Sequence, residues 1–374
     1  MARRLRVGVL FGGRSGEHAV SLMSAQSVMS GLRPEKYEVV PIGITADGRW
    51  LVGDDPDALL ERMRSGNCDE GAGRVTLSAD PTAPRLLRWQ VDLRQMEILD
   101  DIDVFFPVLH GTFGEDGSIQ GLFELAGVPY VGSGVAASAV GMDKALMKAV
   151  FASAGLPQLP YVMVKRCDFE KDPQGVAEFV AAEIGFPCFV KPCNLGSSVG
   201  ISKVKERDAL EAALREAARY DRKLLVEKAA VDCREIEVSV LGNDDPVASI
   251  PGEIVPSNEF YDYKAKYIDD RSELHIPARI DEKKREMVMQ LAVQAFRAVD
   301  AAGLARVDFF VERSGGRVYI NEINTMPGFT HISMYPKLWE ASGLPFEQLV
   351  DRLIELAFER HADQARSERV YVGE

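Results

Sequence analysis

The sequence predicts an α/β protein with more than one domain. A short apolar strand, Leu5 to Phe11, runs into the glycine-rich turn GGRSGEH, and a helix follows from about Val20. A second strand is expected at Tyr37 to Ile44, and a third, Val104 to Leu109, ends in another glycine-rich loop, with a helix beginning at Ser118. Strand, tight turn and helix form the opening unit of an open parallel α/β sheet, in which ligands bind at the carboxyl ends of the strands. The length of 374 residues is enough for two or three domains of ordinary size.

The composition narrows the possible partners. Hydrophobic residues make up 46% and charged residues 27% of the chain, which is typical of a soluble globular protein. The formal net charge of −13 disfavours duplex nucleic acid and anionic membrane surfaces, because both select basic faces. It leaves room for an anionic nucleotide held by a few local lysines. We therefore expect small-molecule partners, with no nucleic acid and no membrane.

The chain has the features of a cytoplasmic protein. No apolar run approaches the roughly 20 residues of a spanning helix, and the N-terminal MARRLRVGVLFGG runs straight into a strand without a signal-peptide core. The five cysteines are odd in number and contain no CxxC pair, as expected of thiols in a reducing compartment.

Two side chains at the carboxyl ends of the first strands are candidate ligand-binding groups. Glu17 lies in the first glycine turn, where it is either an acid at a helix N-terminus or a carboxylate that receives a substrate ammonium. His110 begins the loop HGTFGEDG after the third strand, Val104 to Leu109. A lone histidine is more often structural, but the position at a strand end favours contact with a ligand. Residues 45–100, between these strands, are polar and irregular, and we assign them no chemistry.

The middle of the chain contains a candidate phosphate loop. Lys191 follows an apolar strand, Ile184 to Val190, and the glycine-serine loop NLGSSVG comes next at 194–200. Such a loop can offer backbone N–H groups and hydroxyls to phosphates, and Lys144 opens a nearby helix. The alternative is a plain hairpin. Further on, Leu224 to Ala230 is an apolar strand with a polar end, plausible for the edge of an adenine pocket, and Glu235 and Glu237 follow on one face of the next strand.

The stretch from Ala305 to Gly328 predicts two strands joined by a tight turn. Apolar and polar side chains alternate from Arg306 to Val311, which is the period of a half-buried strand. The SGG at 314–316 is a hairpin signal. The same alternation predicts that one set of second-strand residues shares a face: Val318, Ile320, Glu322 and Asn324.

A three-residue loop centred on Gly315 would set the register of this hairpin. Asp308 then lies opposite Glu322, and Arg306 lies opposite Asn324. Two carboxylates directly opposite each other on a sheet repel, and a hard cation between them removes the repulsion because it prefers carboxylate and amide oxygens. The alternative, a solvated acidic face, is disfavoured by the apolar neighbours. We therefore predict a magnesium site on this hairpin.

Six motifs, in this order, resemble one family closely: GGRSGEHAVS, HGTFGEDGSIQG, KPCNLGSSVG, FYDYKAKY, RVDFF and NEINTMPGFT. Together they are similar to the D-alanine–D-alanine ligases of the ATP-grasp superfamily, from about residue 6 to about residue 358. The resemblance implies a three-domain ATP-grasp architecture. The N-terminal α/β substrate-binding domain is 1–132, the central domain is 133–228, and the C-terminal domain is 229–374, with a lid loop at 258–272.

The resemblance also implies roles for individual residues. Those implied in catalysis are Glu17, Ser197, Tyr267, Arg306 and Gly328, the last two as the oxyanion-stabilising pair. Those implied in binding the D-alanines are His110, Ser333 and Met334. Those implied in binding ATP are Lys144, Lys191, Ser198, Glu227, Lys228, Ala230, Glu235 and Lys266. Those implied as metal ligands are Asp308, Glu322 and Asn324.

The activity implied is the ATP-dependent ligation of two D-alanines through a D-alanyl phosphate, with two Mg²⁺ ions that Mn²⁺ can replace, in a homodimer. An acyl phosphate hydrolyses in water, so the polar and aromatic segment 258–272 is expected to close over the site. One alternative is ligation of D-alanine to D-lactate or D-serine; Tyr267 speaks against D-lactate, since members of that kind tend to carry phenylalanine there. The other is a non-catalytic nucleotide-binding module, which should have lost metal ligands that this chain retains.

Overall fold

In the computed structural model of the chain, the described residues are 3–68, 73–83, 86–89, 96–99, 101–255, 273–330 and 332–368. They form three β-sheets with helices packed against them. The predicted lid loop 258–272, with Lys266 and Tyr267, lies outside the described residues. Among the described residues, no helix is long and apolar enough to cross a membrane.

The first sheet combines a parallel part with an antiparallel extension. Its strands are β1 (Leu5–Gly12), β2 (Tyr37–Ile44), β3 (Trp50–Val52), β4 (Gly73–Leu77), β5 (Leu86–Trp89), β6 (Met96–Ile98) and β7 (Val104–Val108), in the order β6-β5-β4-β3-β2-β1-β7. The pairs β1–β2 and β1–β7 are parallel, as predicted, and the others are antiparallel. The extension, with helix α2 (Pro56–Ser65), comes from the region for which the sequence showed no regular pattern.

Helices α1 (His18–Gly31) and α3 (Ser118–Ala126) follow the two parallel strands that carry the glycine-rich loops. The turn after β1 needs glycine, because Gly12 has a φ of 91° and a Cβ there would lie 2.2 Å from the carbonyl oxygen of Ile44. Helix α1 starts two residues before the predicted Val20, whereas α3 starts at Ser118 as expected. The two loops therefore lie at the same edge of the sheet.

The second sheet is antiparallel, with the order β10-β9-β11-β8. Its strands are β8 (Tyr161–Lys165), β9 (Cys188–Pro192), β10 (Ser202–Val204) and β11 (Lys223–Lys228). Before it come α4 (Val135–Met142) and α5 (Lys144–Ser153), and within it come α6 (Arg166–Lys171), α7 (Pro173–Glu183) and α8 (Leu210–Ala218). Strand β9 starts later than the predicted Ile184, because α7 extends to Glu183 and a bend containing Gly185 follows it.

The third sheet is antiparallel, in the order β15-β14-β12-β16-β17, with β13 paired to β12. Its strands are β12 (Cys233–Gly242), β13 (Val247–Ala248), β14 (Gly252–Val255), β15 (Glu273–His275), β16 (Gly303–Glu312) and β17 (Val318–Asn324). Helices α4 and α5 and helix α9 (Glu282–Ala298) share one hydrophobic core with β12, β16 and β17. The remaining helices are α10 (Met334–Ala341) and α11 (Phe346–Gln364).

The β16–β17 hairpin has the predicted register at the end away from its turn. Asp308 pairs with Glu322 and Arg306 with Asn324. Nearer the turn, Val311 pairs with Val318, so the loop has four residues rather than three, and a bulge after Asp308 restores the register.

The predicted shared face of β17 is wrong for the same reason. A bulge inserts one residue into one strand and so reverses the alternation beyond it. Val318 and Ile320 are therefore buried in the core of the third sheet, together with Ile323. Glu322 and Asn324 line a cavity on the other face.

The last helix, α11, packs against the first sheet. Its apolar residues Leu349, Val350 and Leu353 belong to the same buried core as β1, β7 and α1. The contact also includes a buried ion pair, in which Asp351 accepts hydrogen bonds from Lys36 Nζ at 2.7 Å and from the Arg33 guanidinium. The C-terminal end of the described chain therefore completes the core of the N-terminal sheet.

A second buried carboxylate stabilises the third sheet. Glu253 on β14 has no exposed side-chain surface and lies 2.6 Å from Arg234 Nη1 and 2.8 Å from Arg279 Nε. Burial opposes its ionisation, but the hydrogen bonds from the two arginines outweigh burial and lower the pKa of Glu253 to about 2. Glu253 is therefore charged through the physiological pH range.

Candidate active site

One cavity lies where the glycine loops of the first sheet meet the loop after β9 and the β16–β17 hairpin. Most of the predicted site residues line it: Glu17, His110, Lys144, Ser197, Ser198, Arg306, Glu322, Asn324, Gly328, Ser333 and Met334. Asp308 is joined to it through hydrogen bonds to Arg306 and Asn324. A second group does not line this cavity: Lys191, Glu227, Lys228, Ala230 and Glu235.

Glu17 connects the first sheet to the loop after β9. It occupies the N-cap position of α1, but its side chain makes no capping hydrogen bond. Its carboxylate instead accepts a hydrogen bond from the hydroxyl of Ser197. Two glycines permit this approach, since a Cβ at Gly111 or Gly196 would lie 2.4 or 2.5 Å from Glu17 Oε2. The carboxylate is thus buried and held in place, as an ammonium-binding group requires.

The loop after β9 has an unusual backbone. Ser197 and Ser198 have φ values of 49° and 59°, in the left-handed region that non-glycine residues rarely adopt. Such conformations persist when surrounding contacts hold them, and they concentrate at functional sites. Lys144 Nζ provides one such contact by donating to the carbonyl oxygen of Leu195 at 2.9 Å.

His110 lines the cavity, and both of its ring nitrogens bond to protein groups. Nδ1 lies 3.0 Å from the carbonyl oxygen of Met326, and Nε2 lies 3.0 Å from Ser24 Oγ. A carbonyl only accepts, so Nδ1 carries the proton and Nε2 accepts from the Ser24 hydroxyl, which itself accepts the N–H of Phe329 at 3.2 Å. Burial lowers the pKa of His110 despite the opposing charge of Glu17. His110 is therefore neutral and ties the first sheet to the loop after β17.

Glu115, in the HGTFGEDG loop, is a site residue that sequence reasoning missed. Its Oε2 accepts the N–H of Gly111 at 2.8 Å, and its Oε1 accepts the N–H of Met326 at 3.1 Å. Burial and, second, the Glu17 carboxylate raise the pKa of Glu115 to about 8, although both N–H groups favour the charged form. Glu115 was visible in the sequence as an acidic residue in a glycine loop, but its partner Met326 lies more than 200 positions away.

Three carboxylates form a row across β12, β16 and β17. Glu237 pairs with Asp308, and Asp308 pairs with Glu322, so all three point to the same face of the sheet. Arg306 lies within this row, with Nε 2.7 Å from Asp308 Oδ1 and 3.1 Å from Glu237 Oε2. Burial opposes its charge, but Asp308 and Glu237 outweigh burial and raise the pKa of Arg306. Because the single guanidinium offsets only one of the three carboxylates, the row keeps an excess of negative charge.

The donor set of this row fits a hard divalent cation. Asp308 and Glu322 supply carboxylate oxygens, and Asn324 donates through Nδ2 to Asp308 at 3.1 Å, which leaves its amide oxygen as a ligand. Both Asp308 oxygens accept from Arg306, yet a carboxylate offers about four lone-pair sites. Within the described ranges, no group of three His, Cys, Asp or Glu side chains is placed to hold a metal ion.

The loop after β17 presents backbone to the cavity. A Cβ at Gly328 would lie 2.8 Å from Ser333 Oγ, so glycine permits this close approach. Ser333 Oγ also accepts the N–H of Thr330 at 3.0 Å. Ser333 precedes α10, and Met334, the first residue of that helix, is buried against Ile254 and Leu338.

Three residues of the second group, Lys191, Glu227 and Lys228, lie on the second sheet, whereas Ala230 lies between β11 and β12 and Glu235 lies on β12 of the third sheet. Lys191 on β9 and Glu227 on β11 form an ion pair of 2.8 Å, and Lys148 of α5 binds the other Glu227 oxygen at 2.5 Å. Lys148 was not anticipated, because a lysine inside a helical pattern usually lies on the surface. Lys228 Nζ donates to the carbonyl oxygen of Phe186 at 2.9 Å. The sequence-predicted ATP-binding residues thus fall into two clusters, one at the cavity and one here.

Comparison with known proteins agrees with this architecture. A family model for the D-ala D-ala ligase N-terminus matches residues 6–133, and one for the D-ala D-ala ligase C-terminus matches residues 150–355. A D-alanine–D-alanine ligase of Heliobacterium modesticaldum is 53% identical, with 96% of each chain covered. One from Natranaerobius thermophilus is 50% identical, with 98% of each chain covered.

Solved structures are similar over nearly the whole chain. The D-alanine–D-alanine ligase from Coxiella burnetii has a TM-score of 0.83 at 39% identity, covering 98% of this chain and 97% of that one. The VanG D-Ala:D-Ser ligase from Enterococcus faecalis has a TM-score of 0.84 at 35% identity, covering 95% of this chain and 100% of that one. By sequence and by fold, the chain belongs to the D-alanine–D-alanine ligase family, with its ATP-grasp fold.

Proposed function

We propose that the protein joins two D-alanine molecules into D-alanyl-D-alanine, the dipeptide precursor of peptidoglycan, with conversion of ATP to ADP. Family membership and relatives of about 50% identity that carry this activity in their names support it. The observation that carries the proposal is the cavity in which the Glu17–Ser197 contact faces the carboxylate row and Arg306. It brings together an ammonium-binding acid and a phosphoryl-transfer site.

The first step is positioning. Glu17 would accept the ammonium of the first D-alanine, and Ser197 would hold the Glu17 carboxylate in place. The carboxylate of the first D-alanine has no good leaving group, so ATP must convert that carboxylate into an acyl phosphate. The γ-phosphoryl group must therefore reach the substrate carboxylate in line. Lys144 lies between the loop after β9 and Glu322, 4.0 Å from Glu322 Oε2, where an ammonium can contact phosphate oxygens.

The metal ligands in this proposal are Asp308, Glu322 and Asn324, which would hold two Mg²⁺ ions or Mn²⁺ in their place. Bound there, the ions would neutralise the oxygens of the transferring phosphoryl group. The residues contribute negative charge and oxygen donors on a rigid hairpin. Arg306 offsets part of the negative charge of the three carboxylates.

The second step is attack by the neutral amine of the second D-alanine on the acyl phosphate: a C–N bond forms, the C–O bond to the phosphoryl group breaks, and hydrogen phosphate leaves with one of the amine protons. The tetrahedral intermediate carries an oxyanion, which fixed donors stabilise most effectively. We assign this task to the Arg306 guanidinium and the backbone N–H of Gly328, which line the same cavity. Ser333, which lies next to Gly328, and Met334 would hold the carboxylate of the second D-alanine.

Adenine and ribose would bind where the second sheet ends and the third begins. Glu227, Lys228, Ala230 and Glu235 lie at the end of β11 and the start of β12, next to Lys191 of β9. We also propose the domain division 1–132, 133–228 and 229–374, which the three sheets support, although α4 and α5 pack against the third sheet. A cytoplasmic location and a homodimer complete the proposal; light scattering during gel filtration tests the dimer.

A coupled assay tests the function. ADP and phosphate release should depend strictly on D-alanine, and the product should be D-alanyl-D-alanine. D-serine and D-lactate, each offered as acceptor beside D-alanine, test the two ligase alternatives. The fourth condition offers L-alanine. ATP binding without product in any of the four conditions would support a non-catalytic module and contradict the proposal.

A further inference from the structure

Lys148 is a buried cation to which the proposed reaction assigns no task. Its side chain is 1% exposed, and it does not line the cavity. Its Nζ lies 2.5 Å from Glu227 Oε1 and 5.5 Å from the centre of the Tyr161 ring. A lysine is rarely buried to this degree unless a partner requires its charge. Because Lys148 is sealed from the cavity, it acts through another residue rather than on a ligand.

The partner, Glu227, is held by two lysines at once. Lys191 on β9 and Glu227 on β11 are diagonal neighbours on one sheet face, since Lys191 pairs with Leu225 and Glu227 pairs with Phe189. Lys191 Nζ lies 2.8 Å from Glu227 Oε2, while Lys148 binds the other oxygen. The cluster of these three groups contains two lysines and one carboxylate; burial lowers the pKa of Lys148, and the charge of Glu227 opposes that shift. One lysine is therefore sufficient to neutralise the carboxylate.

The second lysine changes what Lys191 can do. A buried carboxylate that loses its only counter-ion is strongly destabilised. If Lys191 were the only cation at Glu227, turning toward a phosphate would leave such a carboxylate behind. With Lys148 in place, Glu227 stays paired and Lys191 is free to move. Burial opposes the charge of Glu227, but the two lysines outweigh burial and lower the pKa of Glu227, so the carboxylate remains ionised.

We propose that Lys148 is a positioning residue for ATP binding: it neutralises Glu227 so that Lys191 can bind a phosphate of the nucleotide. This inference rests on the proposed function, in which Lys191 and Glu227 belong to the ATP site. It predicts that removing Lys148 weakens ATP binding through the charge of Glu227. A purely structural lysine would lower stability with no such dependence on Glu227.

The test is a cycle of three variants: Lys148→Met, Glu227→Gln and the double variant. Lys148→Met should raise the Kd of ATP, measured by calorimetry on the full chain, at least tenfold. The KM of D-alanine at saturating ATP should change less than twofold. In the Glu227→Gln background, adding Lys148→Met should cost less than threefold, because no charge remains to hold Lys191.

The Asp351 ion pair supplies a matched control. There too a buried carboxylate is held by two cations, Lys36 and Arg33, at the contact of α11 with the first sheet. Lys36→Met should lower the melting temperature and leave the Kd of ATP unchanged. Lys148→Arg, which keeps the positive charge, should bind ATP within a few-fold of the parent.

Two results would overturn the inference. The first is a Kd of ATP that Lys148→Met leaves unchanged; the second is an equal loss in the parent and in the Glu227→Gln background, which indicates packing alone. If Lys148→Met does not fold, the double variant, which removes the buried lysine together with its carboxylate partner, and Lys148→Arg still decide the question. Failure of the proposed function is distinct, since the parent protein would then bind ATP without forming D-alanyl-D-alanine, or would bind no ATP.

Discussion

Removing the hydroxyl of Ser197 should lower kcat/KM for D-alanine by one to two orders of magnitude. In the structure it donates to the buried Glu17 carboxylate, which is the proposed ammonium acceptor. Hydrogen bonds to charged groups contribute about 1.5–3 kcal/mol, which corresponds to about 10- to 150-fold. Ser197→Ala should therefore lower kcat/KM for D-alanine by about this factor at saturating ATP, measured by the coupled ADP assay.

A second variant separates the hydroxyl from the backbone. Ser197 has a φ of 49°, which glycine adopts without strain. Ser197→Gly should lose as much activity as Ser197→Ala if the hydroxyl is responsible. The Kd of ATP should change little in either variant. Retention of more than half of the parent kcat/KM by Ser197→Ala would refute the reasoning, and recovery in Ser197→Gly alone would assign the effect to backbone strain.

Three further predictions follow from the site and the third sheet. Glu322→Gln keeps the shape of a proposed metal ligand but removes its charge, so turnover should fall at least ~100-fold; near-normal turnover at saturating Mg²⁺ would contradict the assignment. Lys144→Ala and Lys191→Ala should each raise the KM of ATP far more than that of D-alanine, and unchanged nucleotide affinity in both would show that the phosphate site is misplaced. Glu253 has a pKa of about 2, below its ordinary 4.5, so its stabilisation is present above pH 4.5 and is lost as the pH falls toward 2. Glu253→Gln should therefore be less stable than the parent at pH 7, and its melting temperature should fall less steeply on acidification. Melting temperatures that fall in parallel in the two proteins would contradict the ionisation of Glu253.

The part of the site that lies on the β16–β17 hairpin was predictable because its contacts are local. A turn and two alternating strands place Asp308 opposite Glu322 without any information from the rest of the chain. The four-residue loop and the bulge after Asp308 were not predictable. Each shifts the register by one residue, and together they leave the pairing of Asp308 with Glu322 unchanged. Burial of Ile320 on the core face depends on that bulge.

The long-range contacts of the site could be predicted only as family resemblance. Glu17 and Ser197 are 180 positions apart, and nothing in either motif indicates that the hydroxyl meets the carboxylate. Glu115 and Lys148 were missed because their significance lies in burial, which raises the pKa of Glu115 and creates the need for a partner at Lys148. The antiparallel strands between residues 45 and 100 were missed because they are short and half-exposed, so their alternation is weak.

The packing of α11 onto the first sheet has a consequence for synthesis on the ribosome. Strand β7 ends at Val108, whereas α11 begins at Phe346. At about 5–20 residues per second, roughly 10–50 s pass between the emergence of these two elements. During this time the surface that Leu349, Val350 and Leu353 later cover is open to water or to chaperones. The N-terminal sheet, although made first, is therefore among the last parts of the enzyme to reach its final state.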